Sequence, residues 1–486
     1  MGTGIASSRN LTLLTDYYQL SMVYAHYKNQ LLNKEVVFDV FIRQNPCDGG
    51  YSLFAGLEQV TEYINNLKFT EEDIEYLQST YPYEEGFLHF LRTFRFTGDI
   101  WSVPEGTVVF PNEPIMKIKT NLLEAHLVET TILNLINHQS LLATRASRVV
   151  YAADGDPVLE FGLRRAQGPD AGIYGARATY IGGVAGTSNV LAGKMFSIPV
   201  MGTHAHAFIQ SYVSELDAFL AFAQVFPENA TLLVDTYDTL NSGVPNAIKT
   251  FQIMKDKLGE DFKNYGIRLD SGDLAYLSKK ARSMLDEAGF KEAKIIASND
   301  LDEFLIRDLK LQGARINSWG VGTNLITSNG CSALGGVYKL AAEKENGSFI
   351  PRIKISENPE KITTPGCKKV VRFYDKFSNK GILDLIMLED ETIPQTDFIA
   401  FDPMNIWKRK KVHNFISKEL LIPIFKQGKL VYELPSLLEI RKKAQHELNS
   451  LSDEVKRLKN PHVYHVDLSK TLWELKNELI EKGRKN

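Results

Sequence analysis

Three cysteines in 486 residues (Cys47, Cys331 and Cys367) are too few, too scattered and odd in number to build a disulfide framework, and no CxxC pair offers zinc spacing. A reducing compartment suits such a chain. An excess of one charge is missing too: 56 Lys and Arg stand against 59 Asp and Glu, a formal net charge of -3, so no net field draws the chain to nucleic acid or an anionic membrane. Any phosphate site must be local. Neither GxGxxG nor GxxxxGK[ST] stands where a dinucleotide fold or a P-loop needs it. The uncharged stretch Met195 to Ser214 contains two His, a Gly, a Pro, Thr and Gln and cannot cross hydrocarbon. The N-terminus, MGTGIASSRN, has no basic segment leading into an apolar run, and Ala6 breaks the myristoylation pattern. The expectation is a cytoplasmic protein with no membrane or nucleic-acid partner.

What is present is ordinary globular material, 44% hydrophobic and 24% charged, enough for two to four packed units. Between about residues 158 and 325, short apolar runs alternate with longer amphipathic ones, the rhythm of repeated βα units. Strands are expected at PVLEFGL, SIPVMGT, TLLVDTY, YGIRLD, AKIIAS and RINSWGV. In LAYLSKKARSMLDEAGF, Leu274, Leu277, Ala281, Met284, Leu285 and Ala288 recur at helical steps, and Gly289 marks the C-terminus. Consecutive units of this kind favour a parallel α/β sheet closed, or nearly closed, into a barrel, with an open doubly wound sheet as the competing topology. Residues 1–150 mix strands (VVFDVFIRQ, TVVFPNEPIMKI) with helices and read as an α+β domain, residues 151–330 as the barrel, and residues 331–486 as a C-terminal region whose charged helical sequence begins at Ser436.

In a parallel barrel the chemistry gathers where strands end, so polar residues there carry the argument. EFGLRRAQGPDAG places Phe161, Arg164 and Arg165 after one strand; GTHAH places His204 and His206 after the next; VDTYD supplies Asp235 and Asp238; RLDSGD supplies Arg268, Asp270 and Asp273. Asp273 equally suits a helix N-cap and Asp235 a turn brace. Two segments suit phosphate: SNDLDE from Ser298 and Asn299, and WGVGTN with Gly320, Gly322 and Thr323. Asp270 and Asp273 form a pair able to hold Mg2+ against phosphate oxygens, directly or through water. A metal site at His204 and His206 lacks further imidazoles, since the next histidine is His413. A neutral imidazole can instead accept a phosphoryl group from ATP, with nearby acids fixing its tautomer.

Taken together, TDYYQLSM, FDVFIRQNP, EFGLRRAQGPDAG, SNVLAGK, GTHAH, LVDTYD, RLDSGD and WGVGTN resemble the nicotinate phosphoribosyltransferases over the first two-thirds of the chain; the last 130 or so residues supply no comparable motif. The resemblance implies an incomplete α/β barrel of the type II phosphoribosyltransferase kind, an α+β N-terminal domain, and a C-terminal extension packing on that domain. It implies that nicotinate and 5-phosphoribosyl-1-pyrophosphate give nicotinate mononucleotide and pyrophosphate, with ATP hydrolysis coupled through a phosphohistidine, in NAD salvage. Carried onto this chain, His206 is the phosphorylated residue, while His204 takes the variable position and no role. The base stacks between Phe161 and Tyr18, the latter from the partner of a homodimer with shared sites. Arg164 and Arg268 are candidates for the carboxylate and the ribosyl phosphates, Asp270 and Asp273 for the acidic pair near ribose and Mg-pyrophosphate, Ser298, Asn299, Gly320, Gly322 and Thr323 for the 5'-phosphate loops, and Asp235 is a further substrate-binding candidate. The neighbouring readings are a nicotinamide phosphoribosyltransferase and a catalytically silent regulator on the same scaffold. The two adjacent arginines favour the acid, and the presence of His206, Arg268, Asp270 and Asp273 together opposes silence.

Overall fold

The structure is a computed structural model describing residues 9–358 and 361–485, so Ala6 lies outside it. It divides into two compact units, Arg145–Ser332 and Met1–Thr144 with Ala333–Asn486.

The first of these is built on six short strands, β1 (Val158–Glu160), β2 (Gly186–Thr187), β3 (Thr231–Leu233), β4 (Gly266–Leu269), β5 (Lys294–Ala297) and β6 (Ser318–Val321). All pair in parallel, in the spatial order β2-β1-β6-β5-β4-β3. Their apolar runs are buried because helices return over the sheet between them. Five of the six expected strands are present; SIPVMGT is not a strand. Only Val200 bridges in parallel to Thr187, and Pro199, which has no N–H to give, accepts the Thr187 N–H through its carbonyl at 3.0 Å. The strand that the alternation missed is β2, a Gly-Thr pair with no β-branched run to announce it.

The sheet curls but its two edges share no backbone ladder. Side chains span them: the imidazole of His204, just past Val200, accepts the N–H of Leu233 on β3 at 3.3 Å, and His206 Nε2 lies 3.3 Å from Asp235 Oδ1 just beyond β3. The unit is therefore an incomplete parallel barrel.

The helices follow their sequence faces. Leu274–Glu287 buries Leu274, Ala281 and Leu285, leaves Leu277 and Met284 half-buried and Ala288, expected on the same face, exposed at its C-cap; it is N-capped by Asp273 and turns off at Gly289, whose φ of 86° lets Phe290 N–H reach back to the Leu285 carbonyl at 2.8 Å. Glu303, in the first turn of Glu303–Leu311, is fully buried between Arg145 and Arg148 at 3.0 and 3.1 Å. Removing its charge takes this carboxylate from two buried guanidiniums. Glu303→Gln is expected to cost about 3 kcal/mol of stability, read as a lowered urea midpoint at unchanged slope.

The other unit carries a seven-stranded sheet that includes Glu35–Ile42, Met116–Asn121 and Gly336–Glu345, and a four-stranded sheet that includes Lys368–Asp375 and Gly381–Leu388. In the latter, KKVVRFYD buries Arg372, which donates to Asp384 at 2.8 and 2.6 Å, to Glu447 at 3.0 Å and to the Val108 carbonyl at 2.9 Å. Ser436 caps the helix Leu437–Ser450 reciprocally with Glu439, where the sequence placed its start. Among the described residues no helix is long and apolar enough to cross a membrane.

Candidate functional site

Six parallel strands bring their C-terminal ends to one rim, so residues far apart in the chain become neighbours there. Arg268, on β4, is the hub. Its Nε donates to Ser298 Oγ at 2.8 Å, one terminal nitrogen to Thr203 Oγ1 at 3.0 Å and the other to Asp270 Oδ1 at 2.9 Å. Ser298 also bonds Asp270 Oδ1. The planar fork thus ties β4 to the end of β5 and to the loop leading into His206, and a fixed guanidinium is what anionic oxygens require.

Asp235 holds the second half of the array. Its carboxylate is nearly inaccessible, with Oδ2 accepting the Asp270 N–H at 2.9 Å and the Ser271 hydroxyl at 2.6 Å, while Oδ1 lies 3.3 Å from His206 Nε2. Among the described residues neither lysine nor arginine pairs with it, so the His206 ring is its natural proton donor. With the ring proton on Nε2 for Asp235, Nδ1 is the nitrogen left for other chemistry, on a side chain that is 41% exposed. The two histidines of GTHAH differ completely. His204 is buried among Phe208, Phe219 and Phe222, and burial lowers its pKa to about 4. With Nε2 engaged by the backbone of β3, His204 is a neutral structural residue and cannot join His206 around a metal.

Phe161 follows β1, its N–H donating to the Val321 carbonyl at 2.9 Å. The turn is pinned by Glu160, fully buried, whose carboxylate accepts from Gly162 N–H and, at 2.6 Å, from Thr187; burial raises its pKa. The Phe161 ring lies over Gly320: a Cβ placed there would stand 2.8 Å from two ring carbons. Gly320→Ala should therefore tilt the ring and raise KM for the aromatic substrate roughly tenfold while leaving the melting temperature within a few degrees, checked by initial rates and thermal unfolding. Arg164 sits exposed on the 3-10 turn Leu163–Arg165 directly after Phe161, and no described residue pairs with it.

The two phosphate segments meet as well. Asn299 and Asp300 take positive φ (90° and 42°), and Asn324 Nδ2 donates to the Asp300 carbonyl at 2.6 Å, linking SNDL to GVGTN. Thr323 begins the short helix Thr323–Ile326, whose first N–H groups have no partner within it. Gly322 stays bare because a Cβ would meet the Phe161 carbonyl oxygen at 3.1 Å.

Asp273 stands apart: it is exposed and caps its helix through Tyr276 N–H at 2.9 Å. No group of three or more His, Cys, Asp or Glu able to enclose a metal occurs among the described residues. The donor set, Asp270 Oδ2 with one oxygen of Asp273, fits Mg2+ only as an ion that keeps its waters and arrives on phosphate oxygens. Tyr18, on the helix Tyr17–Lys28 of the other unit, is 52% exposed. Sequence reasoning passed over Glu160, Thr203 and Ser271; all three lie inside motifs already singled out.

Three family models cover the chain: the nicotinate phosphoribosyltransferase N-terminal domain at residues 13–137, the nicotinate phosphoribosyltransferase family at 157–372, and the nicotinate phosphoribosyltransferase C-terminal domain at 367–476. The last of these falls where the motifs gave nothing. Nicotinate phosphoribosyltransferase of Bacillus subtilis (strain 168) is 48% identical over 97% of this chain and 95% of its own, and that of Caenorhabditis elegans 38% identical over 96% and 93%. The crystal structure of human nicotinic acid phosphoribosyltransferase superposes with a TM-score of 0.83 at 29% identity, over 96% of this chain and 99% of that one. Nicotinate-nucleotide pyrophosphorylase from Pyrococcus furiosus, at 22% identity, 91% and 96% coverage and a TM-score of 0.68, shares the fold.

Proposed function

The chain belongs to the nicotinate phosphoribosyltransferase family, an enzyme family of NAD salvage, and from that premise we propose how its own residues divide the work. Nicotinate and 5-phosphoribosyl-1-pyrophosphate give nicotinate mononucleotide and pyrophosphate, coupled to the hydrolysis of ATP to ADP and phosphate. The observation that carries the assignment of roles is the continuous hydrogen-bonded array from His206 through Asp235 and Asp270 to Arg268 and Ser298.

Phe161 supports one face of the pyridine ring and, in a homodimer with shared sites, Tyr18 of the partner subunit covers the other. The unpaired Arg164 takes the carboxylate, so the ring nitrogen is aimed at ribose C1. As the C1–oxygen bond lengthens, positive charge grows on the sugar and negative charge on pyrophosphate. Asp270 faces the first, and Arg268 faces the phosphate oxygens. Asp273 joins Asp270 in holding Mg2+, which when bound neutralises the leaving group. The backbone around Asn299, Gly320, Gly322 and Thr323 cradles the 5'-phosphate.

His206 couples ATP. Its Nδ1 forms a bond to the γ-phosphorus as the bond to the ADP oxygen breaks, and Asp235 stabilises the proton that stays on Nε2. Water later takes the phosphoryl group from the ring. Asp235 is in this account a positioning residue rather than a substrate ligand. The new negative charge is linked to Arg268 through Asp235 and Asp270, by which it biases how the rim holds phosphates. The setting is the cytoplasm, where both substrates and reduced thiols are at hand.

Initial rates with nicotinate and with nicotinamide test the reading. A charge-assisted bond to Arg164 should favour the acid by about 10- to 100-fold in kcat/KM. Preference for the amide would overturn it, and no turnover of either would point to the silent scaffold.

A further inference from the structure

Barrels of this kind are normally filled by layers of branched side chains, so that the interior is a packed core. Here the inward row is small. Ala185, Thr231 and Ser318 line the lumen, and Gly320 continues the row of Ser318 to the Phe161 ring. What remains is a cavity of about 1280 Å³ that runs from Phe161 and Thr203 at the catalytic rim, past Leu159 and Ile296, to the opposite mouth. Ile296 stays partly accessible in the middle of a strand with neighbours on both sides, as a hollow interior requires.

The far mouth has its own chemistry. Lys291, Lys294 and Arg315 line it, exposed and without ion pairs among the described residues, whereas the lining acids are Glu292 and an Asp286 already engaged by Arg282 at 2.8 Å. Unpaired cations thus stand at the entrance to a bore of mixed lining, with Leu159, Phe161, Ala185 and Ile296 as its apolar part. We propose that this lumen is a second ligand site, entered from the face opposite the catalytic rim, for a slender molecule with a flat apolar end and an anionic tail. The apolar end lies between Leu159 and Ile296 beneath Phe161, and the anionic tail stays at the mouth against Lys291 and Arg315, an attraction that added salt should weaken.

Two dyes separate the parts of the claim: 1-anilinonaphthalene-8-sulfonate, aromatic and anionic, and N-phenyl-1-naphthylamine, its uncharged counterpart. Both are expected to bind the full chain at one site per subunit. Lys291→Glu combined with Arg315→Glu should raise Kd for the sulfonate at least tenfold and leave the neutral dye within twofold. Ala185→Leu and, separately, Ser318→Leu fill the bore and should abolish binding of both dyes with the melting temperature unchanged or raised. Full dye binding in the filled variants, or a sulfonate Kd indifferent to charge reversal, would overturn the proposal. So would failure of both filled variants to fold, because a side chain that finds no room shows the bore to be packed.

Discussion

His206→Ala is expected to leave no phosphoenzyme and no hydrolysis of ATP dependent on nicotinate, while phosphoribosyl transfer persists at raised substrate concentrations. Among the described residues the ring bonds to Asp235 alone, and its loss removes a half-exposed side chain rather than core, so the melting temperature should hold. The decisive measurement uses γ-labelled ATP: label that survives base and is released by acid should appear on the wild type and vanish in the variant. Hydrolysis at the wild-type rate in the variant would sink the assignment. Asp235→Asn is the sharper companion. An amide at that position can donate to Nε2, move the ring proton to Nδ1 and silence the nucleophile without removing it.

The second large effect concerns Asp270. Asp270→Asn keeps shape and backbone but removes one charge from beside Arg268 and Ser298, where the developing positive charge of the sugar is to be met. The loss in kcat/KM should be on the order of 10³-fold, the scale found when a single preorganised electrostatic partner is withdrawn. Folding should change by less than about 1 kcal/mol, since the carboxylate is at the rim and partly solvated. A fall in stability comparable with that of Glu303→Gln would instead mark Asp270 as a brace.

Much of this was legible in the residues, for physical reasons that also explain what was not. Strands β1, β3, β4, β5 and β6 announce themselves because parallel strands buried on both faces must be almost continuously apolar. β2 does not, since Gly186 and Thr187 gain their place from pairing with Leu159 and Glu160 rather than from any preference of their own. The apolar run around Val200 misleads for the opposite reason: Pro199 breaks the ladder it would join. At the site, Arg268, Asp270 and His206 could be named as candidates because ionisable groups at a strand end are costly without a purpose, and Ser298 because a hydroxyl after an apolar strand suits phosphate. The hidden role of His204 needed coordinates, as nothing in GTHAH distinguishes the two rings. The segment from Lys368 onward was silent because antiparallel strands around Val371, Phe373 and Leu385 carry packing and no chemistry.

The barrel's unfinished wall has a mechanical meaning. Had the stretch from Val200 to His206 been stitched into the neighbouring strand, moving it would mean breaking several amide bonds together. As built, side chains fasten that seam, His204 on the Leu233 N–H, Thr203 on Arg268 and His206 on Asp235, so the stretch from Gly202 to His206 can shift by exchanging side-chain contacts rather than by parting a ladder. A chemical event at its tip, the gain or loss of a phosphoryl group, thereby acts where side chains alone join loop to sheet, and the strands need not come apart for the contacts at the rim to change.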